Sequence, residues 1–463
     1  MIDRRAFYDT RAVFRPRESE RFYHKLLQKY FAFLVPQHSC VLEVGCGLGD
    51  LLASLQPSDG LGIDFSPAMI EAARQRHPQL GFEVGEAASF AIERQFDYIV
   101  ISDLVNDLPD VQAFLTHLRQ FAHPRTRLVV NFFNSLWHPI LAFAEKLNLK
   151  APTLPQNWLS RADLNNLLHL AGWELIKTDT RILWPLSTAI LEPLLNRWLA
   201  PLLRHFSLTV MLVARPRPRV PVDQHYRCSV VIPARNEAGN IEAAVQRTPE
   251  MGLGTEILFI EGDSKDNTWD EIQRVIAKYP SRRIRALKQH GKGKGGAVRE
   301  AFAVATGDVL FILDADLTMP PEELSKFYEV ARSGTAEFVN GVRLVYPMEH
   351  EAMQFLNMVA NKMFSLIFSW LLGQPIKDTL CGTKVLFRSD YEAISHNRAY
   401  FGDFDPFGDF DLLFGASKLN LRIVDLPIRY RARTYGETNI HRWKHGWLLW
   451  RMVLFAASRL KFI

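Results

Sequence analysis

Asp314 and Asp316 stand two residues apart at the end of the apolar run Val309–Leu313. Carboxylates so spaced on a strand end can share a divalent cation, magnesium or manganese, with a sugar-nucleotide. Such ions prefer hard oxygen ligands and bridge diphosphates. A segment suited to a diphosphate precedes them. Gly291-Lys-Gly-Lys-Gly-Gly-Ala297 sets lysines and open backbone N–H groups just ahead of a predicted helix, Val298–Ala305. Further upstream, the apolar strand Val230–Ile232 runs into Pro233 and a polar tip with Arg235 and Glu237. Ile257–Ile260 ends similarly in Glu261-Gly-Asp263-Ser264. Each signal alone is weak, since acids also cap helices and glycine-lysine runs also form turns. Their order along one chain is what makes them specific.

The first half carries a different constellation. Val41-Leu-Glu43-Val-Gly45-Cys-Gly47-Leu-Gly49-Asp50 is a strand entering a turn with glycines at alternate positions, which lets backbone pass close to a ligand. The next strand, Leu61–Ile63, ends in Asp64, placed to accept hydrogen bonds from a ribose hydroxyl pair. Gly85-Glu86-Ala87 ends a third strand and could meet an adenine edge. A dinucleotide-binding dehydrogenase would want a third glycine where Asp50 stands.

The elements that must position these residues come in two series. Strands at Val41, Leu61, Phe96 and Arg127 alternate with amphipathic helical segments such as Pro67–His77 and Val111–Phe121. A second series runs through Cys228, Glu256, Arg283 and Val309. Strands alternating with helices predict an α/β class with two doubly wound, mostly parallel sheets. Between them Ala214–Gln224 alternates Pro and Arg, reads as a stiff exposed linker, and is expected to continue no helix or central strand. The expected division is residues 1–215, a linker at 216–226, and residues 227–463.

A chain of 463 residues with 48% hydrophobic and 23% charged residues is a folded protein of two or three domains. From Arg431 onward seven Lys/Arg face one acid, Glu437, among Trp443, Trp447, Trp450 and Phe455. That end suits an anionic surface, or is a solvated helix end. Met353–Gly373, Trp184–Leu203 and Trp447–Ile463 are apolar but interrupted by polar residues, so none is expected to span a membrane. They suit a membrane interface or a core. Cys40, Cys46, Cys228 and Cys381 lack metal or disulfide spacing, which implies a reducing compartment, and Met1–Arg21 is too charged for a signal segment. The basic residues form no recognisable nucleic-acid reading module, so no nucleic-acid partner is expected.

Over Ser39–Trp173 the chain resembles the class I S-adenosylmethionine-dependent methyltransferases, on its E-x-G-x-G-x-G run and the acid closing the second strand. The resemblance implies a Rossmann-like domain with S-adenosylmethionine as cofactor. Gly45, Gly47 and Gly49 would flank its methionine part, Glu43 would support the loop, Asp64 would bind ribose, and Glu86 would meet adenine. The methyl acceptor stays open. Asp103, Asn106 and Asp107 follow the fourth strand, where the family places substrate contacts, but could equally cap a helix; His138 is a candidate base or a structural histidine.

From Cys228 to Thr438 the chain resembles the inverting family 2 glycosyltransferases of the dolichol-phosphate mannose synthase type, with a GT-A fold. That implies Pro233, Arg235, Glu237 and Asp263 against the nucleoside of a GDP- or UDP-linked sugar. Lys294 would lie near the diphosphate, with Asp314 and Asp316 at the metal. The family's D-D-G-S is Glu261-Gly-Asp263-Ser264 here, which leaves the base open. Asp378–Lys384 matches a segment with acceptor contacts. Gly408-Asp409-Phe410-Asp411 matches the acidic segment near the reaction centre, with Asp409 or Asp411 as candidate base. Arg433 would grip phosphate; Thr438 and Asn439 replace the family's Ser and Lys, and Arg442 or Lys444 is a substitute cation.

These resemblances imply a bifunctional enzyme: methyl transfer, plus metal-dependent sugar transfer to polyprenyl phosphate or another lipid acceptor. The expected setting is cytoplasmic, with peripheral contact at the inner face of the cytoplasmic membrane. The alternative is sugar transfer to a hydroxyl acceptor, with the first half only a binding or regulatory module.

Overall fold

The computed structural model describes residues 4–12, 17–147, 150–219, 221, 223–343, 345–346, 355–400, 408, 410–433, 435 and 442–463. The chain divides into two compact units, Met1–Arg217 with Phe462–Ile463, and Pro218–Lys461.

The first unit is built on β1 (Cys40–Val44), β2 (Asp59–Asp64), β3 (Gly81–Val84), β4 (Phe96–Ser102), β5 (Ala122–Phe133), β6 (Trp173–Arg181) and β7 (Thr209–Pro216). Its seven strands lie in the order β3-β2-β1-β4-β5-β7-β6. β1 is parallel to both β2 and β4, while β7 runs antiparallel to β5 and β6. Successive strand residues point to opposite faces, and both faces are apolar here. Leu42, Val44, Ile99 and Ile101 pack with Phe114, Leu115, Leu164 and Leu168. Val41, Val100 and Val129 pack with Leu27, Tyr30, Phe31 and Ile70. Helices therefore cover both faces. The strand order reverses between β1 and β4, which opens a crevice at their carboxyl ends.

β7 differs from expectation. Ala214, Arg215 and Pro216 are not linker but the end of a strand inside the sheet. Arg215 is buried and donates to Glu174 Oε2 through Nε (2.9 Å) and Nη2 (2.7 Å), which neutralises its charge. Pro216 stands at the strand's last position, where a missing N–H costs least.

The second unit contains β8 (Cys228–Ala234), β9 (Thr255–Glu261), β10 (Arg283–Lys288), β11 (Val309–Ile312), β12 (Phe338–Val342), β13 (Lys384–Phe387) and β14 (Ile423–Pro427). The order is β10-β9-β8-β11-β13-β12-β14, with β13 antiparallel to both neighbours. Val230, Ile232, Phe259 and Phe311 share a core with Ile272, Val275, Leu324 and Phe327. The reversal falls between β8 and β11, so the α/β class and the crevice recur. The helix expected from Val298 begins earlier, at Gly293, so Lys294, Gly295 and Gly296 form its first turn rather than a loop.

Trp173 is fully buried in the first unit, and its Nε1–H donates to Leu115 O at 2.8 Å. Trp173→Ala is expected to cost about 3–5 kcal/mol, read as an earlier first transition in thermal unfolding of the whole chain.

Candidate functional sites

In the first unit the glycine turn folds back onto β2. The N–H groups of Gly45 and Cys46 both donate to Ile63 O, at 2.7 and 3.1 Å. Gly47 N–H then donates to Asp64 Oδ2 (2.9 Å), and Ser66 N–H to Asp64 Oδ1 (3.0 Å). Asp64 thus ties the turn to the tip of β2. Burial raises its carboxyl above the usual range, opposed by those backbone donors. Glu43, buried in β1, accepts Leu52 N–H at 2.9 Å and holds the short helix Asp50–Ser54 behind the turn; burial pushes its carboxyl well up. Gly47 has φ +51°, and a Cβ built there meets nothing within 4 Å, so its outer side is open for a ligand. At Gly49 (φ +76°) a Cβ would also lie 2.6 Å from the Phe82 ring, so both backbone and packing demand glycine.

Two features at these strand tips have no local sequence signal. Helix Arg4–Ala12 reaches the tips: Arg5 pairs with the exposed Glu86 at 2.8 Å, Tyr8 bonds Asp107, and Ser66 bonds Asp9. The Tyr8 ring packs edge-on against Phe65, centroids 5.5 Å apart. At the end of β4, Asp103 Oδ1 accepts from Tyr23 OH (3.1 Å) and Asn131 Nδ2 (2.6 Å). Burial raises Asp103 to about 7 against those donors, and its backbone is left-handed, φ +54°. Tyr23 and Asn131 lie 80 and 28 residues away, so only the fold gathers them. Asn106 is buried, its side chain donating to Asn157 O at 2.8 Å, while His138 is exposed and packs at a tilt on Trp158, centroids 4.3 Å apart. An open glycine backbone beside acids on two strand tips fits an adenosine-bearing cofactor.

In the second unit the charges at the crevice are interlocked. Lys294 Nζ lies 2.7 Å from Asp314 Oδ1. Burial would raise Asp314, but Lys294, with Lys384 and Arg343 beyond, holds it below the usual carboxylate range. Arg433 bridges two acids, Asp316 Oδ2 at 2.7 Å and Glu237 Oε1 at 3.3 Å. Asp316 Oδ1 also accepts from Thr318 N–H (3.1 Å) and its hydroxyl (2.8 Å). Glu237 Oε2 accepts from Asn240 Nδ2 at 2.7 Å, and burial still raises its carboxyl. The Asp378–Lys384 segment arrives at the same place: a Cβ on Gly382 would lie 2.0 Å from Asp314 Oδ2 and 2.4 Å from Lys294 Nζ. Gly408 (φ +76°) abuts the first turn of helix Gly293–Val304, where a Cβ would come within 2.4 Å of Gly295 Cα.

Pro233 is half-buried on β8, while Arg235 and Asp263 are exposed, Asp263 with φ +55°. Glu261 is buried and accepts Ser264 N–H at 2.6 Å, shaping the loop beyond β9. Asp411 is buried against Arg398 Nε (2.9 Å) and Arg299 Nε (3.6 Å), ion pairs that tie its helix to two others. Asp378 is fully buried, held at about 2 because the bidentate Arg343 outweighs burial, and further bonded by Asn361 Nδ2 at 3.0 Å. Asp409, Thr438 and Asn439 lie outside the described residues, as do the side chains of Arg442 and Lys444.

Among the described residues no three His, Cys, Asp or Glu side chains gather as a metal site. Asp314 and Asp316 alone suit magnesium or manganese, which commonly binds through one or two carboxylates with substrate phosphates and water completing the shell.

Residues 14–178 match the family model of a methyltransferase domain, and residues 229–399 that of glycosyl transferase family 2. The chain is 31% identical over 221 residues to a dolichol-phosphate mannosyltransferase of Pyrococcus furiosus, covering 46% of this chain and 59% of that protein. It is 28% identical over 231 residues to glycosyltransferase AglD of Haloferax volcanii, covering 48% of this chain and 36% of the relative. Among solved structures it is similar to magnesium protoporphyrin IX methyltransferase of Synechocystis PCC 6803, at 18% identity and TM-score 0.34, covering 46% of this chain and 94% of the other. The chain thus spans less than two thirds of the curated relatives it matches.

Asp103 sits at about 7, above the ordinary 3.8, so the folded state holds a proton that the unfolded state has released between those values. Its favourable contribution is present at acid pH and lost as pH rises through about 7. Asp103→Asn keeps the left-handed backbone and stays neutral, so its melting temperature relative to wild type should rise from pH 5 to pH 8. A constant difference would contradict the buried-acid reading. Gly382→Ala must push apart Lys294 and Asp314, and nucleotide-sugar binding by calorimetry should weaken by roughly tenfold or more while the melting temperature changes little.

Proposed function

From a chain that carries a methyltransferase domain followed by a family 2 glycosyltransferase domain, we propose a bifunctional transferase. Its first half moves a methyl group from S-adenosylmethionine, and its second moves a sugar from a GDP- or UDP-linked donor to polyprenyl phosphate. The observation that carries the second reading is the convergence of Lys294, Asp314, Asp316, Glu237, Arg433 and Gly382 at one crevice.

Lys294 and Arg433 each neutralise acids at the crevice. A nucleotide diphosphate and a phosphate acceptor would take over those cations and free the carboxylates for a divalent ion. A bound magnesium or manganese ion would supply charge neutralisation to the leaving diphosphate. Lys294, in the first turn of its helix, orients that diphosphate with backbone N–H groups beside it. A phosphate acceptor is already anionic and needs cations more than a base. That agrees with Asp411 being committed to two arginines.

The apolar helices support a lipid acceptor. Helix Phe355–Leu372 packs on helix Arg442–Leu460, with Phe364 and Trp450 centroids 5.7 Å apart. Their outer sides expose Val359, Met363 and Leu366, and Trp447 and Leu454. No helix of the described residues is long and apolar enough to cross a membrane. Peripheral contact with the cytoplasmic face of a membrane is the arrangement we favour. The relative named for dolichol-phosphate mannosyl transfer agrees with this acceptor class.

Purified chain offered UDP- and GDP-sugars, magnesium or manganese, and polyprenyl phosphate is expected to form a lipid-linked sugar. Asp316→Ala should lower the rate by about 100-fold or more. Transfer only to hydroxyl acceptors would reject the acceptor assignment. S-adenosylmethionine should bind the wild-type chain and not Asp64→Ala, and unchanged binding would reject the cofactor site.

A further inference from the structure

The first unit exposes a second apolar face that the proposed chemistry does not use. It is formed by two inserts, one after β5 and one after β6. In the first, helix His138–Lys146 and its flanks expose Leu136, Ile140, Phe143 and Leu147, one helical stripe. In the second, residues 184–206 expose Ile190 at 78%, Leu202 at 59% and Phe206 at 64%, with Leu191, Leu194 and Trp198. The inserts adjoin: Trp137 Nε1–H donates to Phe206 O (2.7 Å), and Asn134 Nδ2 to His205 O (2.8 Å) and Ser207 O (3.0 Å).

This face is held in place. Asn196 is buried within the π-helical turn Pro193–Leu199. Its Oδ1 accepts from Leu183 N–H (2.9 Å) and Trp184 N–H (2.8 Å), and its Nδ2 donates to Trp184 O (2.8 Å). A π-helical turn has more than four residues per turn, so Leu194 and Trp198, four apart, fall on one side of it. The charges complete the pattern. Within residues 135–147 and 184–206 the exposed ionisable side chains are His138, Lys146, Arg197 and His205, all basic. The acids there, Glu145 and Glu192, are half-buried and engaged with Lys150 and Asn196. A fixed apolar surface whose own exposed ionisable groups are all basic is costly in water and complementary to anionic lipid.

We infer that this face of the first unit docks on an anionic lipid surface, independently of helices Phe355–Leu372 and Arg442–Leu460. Both inserts leave the sheet at the carboxyl ends of β5 and β6. β5 is parallel to β4, so that is the end carrying Asp103 and the glycine turn. On the reading of this unit as a methyltransferase, its acceptor is then an amphiphile held in the same surface.

The full chain should co-sediment with phosphatidylglycerol-containing vesicles, less so in high salt. Phe143→Glu/Ile190→Glu/Leu202→Glu, at exposed positions, should lower that partition by about tenfold or more. Leu366→Glu/Trp447→Glu should leave a clear remainder. Unchanged partition in the triple variant overturns the inference. So does a triple variant that changes only the mass of the chain in solution, which would make the face a contact between copies. Binding of S-adenosylmethionine to the triple variant is measured in parallel. Intact binding shows that the unit is folded, and its absence in wild type defeats the cofactor reading while leaving the vesicle result standing.

Discussion

A carboxylate taken out of water must find a donor or a counter-charge, and this constraint shapes both crevices. Asp64 and Glu43 meet it with backbone N–H groups, so the acids themselves fold the glycine turn. Asp314, Asp316 and Glu237 meet it with Lys294 and Arg433. Behind them Asp378 meets it with Arg343. Backbone donors leave a rigid cradle. Side-chain cations leave a site whose charges can be shared with an anionic ligand.

The two units solve the same architectural problem. Each has a seven-stranded sheet whose order reverses next to its first strand, and each keeps one antiparallel strand. The reversal opens a crevice at the ends of the central pair of strands, so polar tips gather there. What differs is the material at the tips. The first unit presents open glycine backbone and acids. The second adds a helix first turn with a lysine, and the Gly382 segment delivered from beside β13.

Apolar surface is the other shared theme. In the second unit it lies on a helix pair, and in the first on pinned inserts beyond β5 and β6. The polar groups buried under these surfaces keep them shaped. Asn196 holds one, and Asn361 links helix Phe355–Leu372 to the buried Asp378. A surface organised by buried hydrogen bonds stays open in water instead of collapsing on itself.

Strand runs, glycine spacing and acids at strand ends are local patterns, and they determined the α/β class, the two series and the positions of Asp64, Asp314 and Asp316. The Pro/Arg stretch misled at Ala214–Pro216, because Arg215 is acceptable in a sheet only through Glu174, a partner 41 residues away. The glycine-lysine run misled over the start of its helix, since glycine propensity was outweighed by packing of Ala297, Val298 and Ala301. Tertiary structure alone decided that Asp411 faces arginines, that Asp378 is buried scaffold, that Tyr23 and Asn131 surround Asp103, and that Arg433 joins Glu237 to Asp316. The reason is common to all of them. Periodicity records which face of an element is apolar, whereas a charge's partner depends on which distant element the fold brings beside it.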